Sequence, residues 1–472
     1  MNGSWSTDQR ARSGARRIRT GLVALAVMAL TALGAVVASP AQAADSAPYR
    51  ATVFTKGYDT SNLVTLTFDT DWPTQDNAVS KANLAKVLQT LSANGITAGF
   101  GLTGRYVEQN AADARAIAAA GHKVINHSYD HPNFLNLTQA QRWSQLDRAE
   151  AALKAAGLTS AGWFRTPYRA GYLDSGVNRD LALRGYYINF DWTYDTTGYR
   201  AASWSVISSR IDAYTVPGAI LVMHISAPST DPMYLQNTID KLRAKGYTFA
   251  SPYQATTWGA IRTKYLALGG PKSAFGAPIT GKMTATTSDT AVQWFQKGRI
   301  YWRSDASGAY YVFGGILNKY RSLGTVNGFL RFPTTDELAG ANGGRYNHFQ
   351  GGSIYWTSAT GAHEVHGGIR TKWASLSWER GFLGYPRSDE VAVTNGRASQ
   401  FQGGNIYWSS TTGAHEVHGA ILTRYLSLGG TGGRLGLPTT DVYAVSGGQR
   451  SDFQHGSIIY NTTTGTITVI YR

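Results

Sequence analysis

The strongest constraint on this chain's fold is a unit of roughly 52 residues that occurs four times after about Trp258. Its first landmark is a turn: Phe275-Gly-Ala-Pro278, Leu330-Arg-Phe-Pro333, Leu383-Gly-Tyr-Pro386 and Leu435-Gly-Leu-Pro438. A second landmark follows each turn, at Phe295-Gln296, Phe349-Gln350, Phe401-Gln402 and Phe453-Gln454, and leads into a Gly-x-Ile-Tyr-Trp-like strand. Segments 261–268, 316–323, 369–376 and 421–428 have helical spacing. Each unit therefore reads as a short helix, a Pro turn and a β-hairpin. A fixed period requires each unit to bury its apolar face against its neighbours. Residues 257–472 form an α+β repeat domain on this reading. Most of its Tyr and Trp rings belong to the core, and a few exposed faces suit stacking on sugars.

The preceding region has a different pattern. After a polar lead-in over residues 44–62, apolar β-branched runs occur at 64–68, 97–102, 123–126, 162–164, 186–190, 219–223 and 247–250. Segments with helical spacing lie between them at 78–93, 111–120, 139–156 and 232–245. This alternation predicts a parallel, helix-covered sheet, an α/β domain over residues 63–256 shaped as a distorted (β/α) barrel of about seven strands. Such barrels carry their reactive groups at the C-terminal ends of the strands.

Residues 1–43 read as a secretory signal. Arg10, Arg12, Arg16, Arg17 and Arg19 precede an apolar run from Gly21 to Ala38, and Ala41-Gln42-Ala43 supplies a small-x-small cleavage site. Cleavage there leaves 39 basic and 28 acidic residues, about +11. That charge favours anionic partners, and export makes nucleic acid the least suitable of them. No stable membrane insertion is expected once the signal is removed. The chain has no cysteine, so disulfides, a thiol nucleophile and thiolate ligands are excluded, and any metal must be held by His and carboxylates.

Four groups of reactive residues fall at predicted strand ends. Asp69 and Asp71 follow the first strand, and two carboxylates there can divide the work of base and ligand. His127 and His131, in His127-Ser-Tyr-Asp-His131, share one face if the segment is helical and can then reach one cation. Arg165 precedes Thr-Pro167-Tyr168 and can orient a carboxylate through a bidentate pair. His224 ends the apolar run Leu221-Val-Met-His224. Each residue alone has a structural explanation: a capping Asp, a surface HxxxH, a core His. Their common placement at strand C-termini points to an active site.

These motifs resemble, in order, those of the polysaccharide deacetylase family (the NodB-homology domain, a carbohydrate esterase) over about 64–252. The matching segments are Thr67-Phe68-Asp69, Gly121-His122 through His131, Arg165-x-Pro167-Tyr168 and Gly218–His224. The four C-terminal units resemble the LGFP repeats of actinobacterial cell-wall proteins, with Arg331 in the Gly position of the second. The resemblance implies a secreted, cell-wall-associated hydrolase acting on amide carbon–nitrogen bonds other than peptide bonds, or on esters. It would remove acetyl groups from a glycan, peptidoglycan before chitin-like oligomers or xylan, with the repeats holding a wall polymer. It also implies a divalent metal, zinc before cobalt or manganese, on Asp71, His127 and His131. Asp69 would be the base, steered by Arg165, with the Tyr168 main-chain N–H at the oxyanion and His224 as the acid. Two departures stand out. Thr70 follows Asp69 where the family has a second Asp, so Asp71 needs a bulge or turn to reach the metal. In the fourth motif, Asp195 or Asp191 supplies the carboxylate that tunes His224, with Asp195 the first choice. The contrasting expectation is a lapsed, carbohydrate-binding relative or a wall-anchored scaffold.

Overall fold

The computed structural model of the protein describes residues 47–58, 61–70, 77–304 and 308–472. The signal sequence read over 1–43 lies outside the described residues, as does Asp71. Among the described residues no helix is long and apolar enough to cross a membrane.

Nine strands build the first sheet: β1 (Thr52–Phe54), β2 (Leu63–Asp69), β3 (Gly99–Leu102), β4 (Lys123–Asn126), β5 (Trp163–Phe164), β6 (Ile188–Phe190), β7 (Tyr194–Asp195), β8 (Ile220–His224) and β9 (Thr248–Phe249). All pairings are parallel, in the order β1-β6-β5-β4-β3-β2-β8-β7, with β9 beside the start of β2. The outer strands approach each other without a ladder between them. Thr193 Oγ1 donates to Thr55 O at 2.6 Å, and Lys56 bridges Ala219. The curled sheet is thus a distorted barrel, as expected, with two more strands than the sequence indicates. Both additions are short: β1 falls within the polar lead-in, and β7 has only two residues.

Helices α1 (Asn77–Ala93), α2 (Gly104–Gln109), α3 (Ala111–Ala119), α4 (Gln139–Ala155), α5 (Ser175–Leu183), α6 (Trp204–Tyr214) and α7 (Asp231–Ala244) cover this sheet. Strand alternation decides what faces them. Val64, Leu66 and Phe68 of β2 join the helix-side core with Leu84, Val87, Phe100, Leu221 and Leu242. Thr65, Thr67 and Asp69 consequently point the other way, into the barrel. Asp69 is a buried carboxylate there because the pleat leaves it no other direction.

Each C-terminal unit pairs a nine-residue helix with a four-stranded antiparallel sheet, a larger element than the predicted hairpin. The structure explains both landmarks. Gln296 Oε1 accepts the N–H of Ala277 at 2.7 Å, and Gln402 and Gln454 do the same for Tyr385 and Leu437 at 2.9 Å. The Gly of each turn makes room for that amide. It adopts φ of 71°, 64° and 70° at Gly276, Gly384 and Gly436, and a Cβ there would lie 2.3–2.7 Å from the Gln oxygen. Pro and Phe of each unit meet in a β-bridge. Gly, Pro, Phe and Gln are thus parts of one turn.

The first unit also closes the N-terminal end of the barrel. Phe54, Ile125, Trp163, Ile188, Phe190, Ile220 and Tyr253 share one core with Ile261, Tyr265, Phe275, Phe295 and Ile300. Trp163 Nε1 donates to Pro278 O at 2.7 Å, and Gln293 Nε2 donates to Thr256 O and Thr280 O at 2.8 Å. Burial of each large apolar side chain contributes about 1.5–3 kcal/mol, so this shared core holds much of the barrel's stability. A chain shortened to end at Trp258 is expected to lose its cooperative thermal transition. One ending at Phe313 should retain it. Calorimetry of both decides the point, and equal melting temperatures would mean that the first unit adds nothing to the barrel.

Candidate active site

The sequence-predicted residues meet in one cavity of about 480 Å³ at the C-terminal ends of the strands. Asp69, His127, His131, Tyr168, Asp195 and His224 line it, together with Trp192, Tyr199 and Arg200. Arg165 lies behind the wall, fully buried. Its Nη1 donates to Asp69 Oδ1 at 2.7 Å, its Nη2 to Thr67 Oγ1 at 3.0 Å, and its Nε to Phe190 O at 2.7 Å. A charge-assisted bond of this kind fixes the carboxylate and compensates its charge. The other oxygen, Oδ2, lies 3.6 Å from His127 Nε2.

The His127–His131 segment is not helical. Ser128 and His131 adopt φ of 67° and 64°, so the two histidines are brought together by a turn, not by helical spacing. The turn achieves the same juxtaposition, with the two Nε2 atoms 3.1 Å apart. His127 Nδ1–H donates to Arg165 O at 3.0 Å, which turns its Nε2 toward the cavity. Burial, the largest influence on both, lowers each imidazole to about 3, so both are neutral at pH 7. Two neutral imidazoles facing one point suit a borderline cation such as zinc. The described residues contain no group of three or more His, Asp or Glu able to hold a metal. Thr70, where the family has its second Asp, is turned away: its hydroxyl donates to Gly101 O at 3.2 Å and accepts from Thr103 N at 3.1 Å.

Tyr168 sits in a left-handed conformation, φ 56°, in the turn after β5, with its ring 4.4 Å from that of His131. His224 ends β8 beside Asp69 of β2 in register and packs on Tyr199 at 4.8 Å. Burial, opposed by the Asp69 charge, lowers His224 to about 4. Asp195 is in the cavity wall, its Oδ1 accepting from Thr197 N at 2.6 Å, and burial raises it to about 6. Asp191 is withdrawn into a pair with Arg169.

Sequence reasoning missed Asp231. This residue opens α7 ahead of Pro232, where it reads as an ordinary N-terminal acid. In the fold its Oδ2 accepts from His224 N at 2.9 Å and lies 3.9 Å from His224 Nδ1, while Oδ1 accepts from Thr196 Oγ1 at 2.6 Å. Gly198 is part of this arrangement, because a Cβ there would sit 2.2–2.4 Å from the Asp231 carboxylate.

Residues 56–186 match the polysaccharide deacetylase family, and residues 275–328, 330–381, 383–433 and 435–471 match the LGFP repeat. This chain carries a polysaccharide deacetylase domain followed by four LGFP repeats. It is 28% identical over 192 residues to the peptidoglycan-N-acetylglucosamine deacetylase PgdA of Listeria monocytogenes, covering 41% of this chain and 38% of that protein. It is 26% identical over 202 residues to the peptidoglycan-N-acetylmuramic acid deacetylase PdaA of Bacillus subtilis, covering 41% and 74%. Among solved structures, a CE4 family pseudoenzyme from Bacillus anthracis is 27% identical, covering 43% of this chain and 68% of that one, with a TM-score of 0.38. The chain spans about half or less of the first curated relatives it matches.

Asp231 yields a pH test. Burial raises its pKa from 3.8 to about 7. Between those values the folded chain keeps a proton that the unfolded chain has lost, so Asp231 withdraws stability as pH rises from about 4 to 7. Asp231→Asn abolishes that titration. Its stability deficit relative to the native chain should be largest near pH 4 and smaller at pH 8, as read by denaturant unfolding at both pH values. A deficit that does not change with pH would refute the assignment.

Proposed function

We propose that this chain is a metal-dependent glycan deacetylase, exported and held at the cell wall, that hydrolyses the N-acetyl group of a peptidoglycan sugar. The observation that carries this reading is the Arg165-held Asp69 carboxylate opening onto the same cavity as His127, His131 and His224. The names of the peptidoglycan-acting relatives support peptidoglycan as the first substrate to test. Chitin-like oligomers and xylan come next, and ester hydrolysis by the same groups is compatible with the site.

His127 and His131 would supply two ligands to a divalent cation, with Asp71 a candidate third. When bound, the cation supplies Lewis-acid polarisation of the acetyl oxygen and acidification of water. Asp69 takes a proton from the attacking water, its carboxylate aimed by Arg165. The N–H of Tyr168 would face the oxygen that gains charge as the carbonyl carbon becomes tetrahedral. His224, neutral at rest, receives the proton that Asp69 takes from the water and hands it to the departing nitrogen, with Asp231 and Asp195 as the carboxylates around it. The C–N bond breaks, and the products are acetate and a free amine. The Trp192 and Tyr199 rings beside this point suit the apolar face of a sugar.

A second reading, a carbohydrate-binding domain without catalysis, draws on one observation. Thr70 stands in place of a carboxylate, and its hydroxyl is bonded away from the cavity. Acetate release from peptidoglycan, N-acetylglucosamine oligomers and acetyl-xylan separates the two. Chelator-sensitive release is expected, with Asp69→Asn reducing it by roughly 10²–10⁴-fold. Glycan binding without release, in a chain shown to bind metal, would establish the second reading.

A further inference from the structure

The four Leu/Phe-x-x-Pro turns are built alike except in the second repeat, where Arg331 occupies the glycine position. Arg331 nevertheless keeps the left-handed backbone, φ 55°. That conformation brings Cβ against the following carbonyl oxygen and is disfavoured for any side chain but glycine. At the three glycine positions a Cβ would lie 2.3–2.7 Å from the partner glutamine oxygen. Gln350 Oε1 accepts from Phe332 N at 3.2 Å, against 2.7–2.9 Å in the other three repeats. A strained residue that glycine would relieve, at a position where glycine is already used three times, points to a use for the side chain.

The surroundings of Arg331 indicate that use. The exposed Arg331 lines an open cleft of about 580 Å³ between the first and second repeats, away from the deacetylase cavity. Arg303, Ser304, Asn327 and Gln350 share its wall. Asp289 is also there, its carboxylate accepting from the hydroxyls of Thr287 and of Ser304. Arg303 lies 5.7 Å from the ring of Phe332, which forms an apolar patch in the same wall. The chain's charge is distributed in the same sense. Residues 257–472 carry 20 Lys and Arg against 11 Asp and Glu, whereas residues 44–256 carry 19 against 17.

We propose that Arg331 anchors an anionic group of an acidic polysaccharide seated in this cleft, with the Asn, Gln and Ser side chains taking its hydroxyls. The proposal rests on the reading that the repeats hold a wall polymer, and names where and by what charge they do so. A carboxylate or a phosphodiester meets the same guanidinium, so both are tested. The full chain, Arg331→Lys and Arg331→Gly are titrated by calorimetry with a polyuronate, a phosphodiester-linked polyol and a neutral glucan of matched length, and their melting temperatures are recorded. Arg331→Gly is expected to raise Tm by roughly 1–4 °C and to weaken binding of an anionic polymer at least tenfold. Arg331→Lys should retain part of that binding, and acetate release from soluble oligomers should not change. Tm raised with anionic binding unchanged would overturn the proposal, as would preference of the native chain for the neutral glucan. Failure of the native chain to bind isolated wall material would instead remove the wall-holding reading on which it rests.

Discussion

The deacetylase domain is organised around one buried cation. Arg165 has no accessible surface, and a guanidinium in that position is tolerated only when its donors are satisfied. Its donors reach three places across the barrel: Asp69 and Thr67 on β2, and the carbonyl of Phe190 on β6. Its own carbonyl takes the Nδ1–H of His127. The orientation of the Asp69 carboxylate and that of the first imidazole thus come from a single residue at the end of β5. A lysine would keep the charge but lose the fork, and with it the simultaneous hold on two strands. Removing the guanidinium altogether would leave the Asp69 carboxylate buried beside neutral imidazoles without its ion-pair partner.

The repeats depend on a comparable but weaker device. Lys264 pairs with Asp336 at 2.6 Å, Lys319 with Asp389 at 2.7 Å, and Lys372 with Asp441, each joining a helix to the unit that follows. Partly exposed pairs of this kind contribute little individually. Each Asp also accepts a main-chain N–H, from Tyr311, Glu364 and Glu416 respectively, at 3.1–3.3 Å. That bond fixes where the last strand of the helix's own unit meets the next turn. The energy of stacking comes from the apolar clusters between units, such as Val292, Tyr301 and Val312 of the first with Ile316, Leu330 and Phe349 of the second. The ion pairs choose the register in which those clusters meet.

What was legible in the sequence follows from this physics. Strands of five or seven residues declare themselves, β2 by its alternation and β8 as a continuous apolar run, and so do long helices such as α4 with its Thr138–Gln141 capping box. β1 and β7 do not, because three and two residues carry no period. The site was legible as a list of residues at strand ends. The contacts among them were not. His127 and His131 suggested a helix and meet across a turn, since positive φ at Ser128 and His131 leaves no mark in a pattern of side-chain types. Asp231 was hidden because an acid at a helix start has a sufficient local explanation, and its relation to His224 exists only once Gly198 leaves space for the carboxylate. The Phe-Gln landmark was visible as a recurrence, but its meaning, an amide oxygen bound to the turn backbone, required coordinates.

The position of the first repeat changes how the two halves of the chain relate. A tether joined through a flexible linker would let a catalytic domain sample orientations freely. Here Trp163, Tyr253 and Ile125 of the barrel are packed under Phe275 and Phe295, so the join is a core and not a linker. The unit packs against the N-terminal ends of the strands, and the cavity opens at their C-terminal ends. Under the proposed function, a polymer bound by the repeats and a sugar bound in the cavity would meet opposite ends of one barrel. A glycan strand held by the repeats would be presented to the cavity of a different molecule, or would have to run the length of the barrel. The fixed join makes the orientation of the active site a property of the fold, set by the same aromatic side chains that complete the barrel's core.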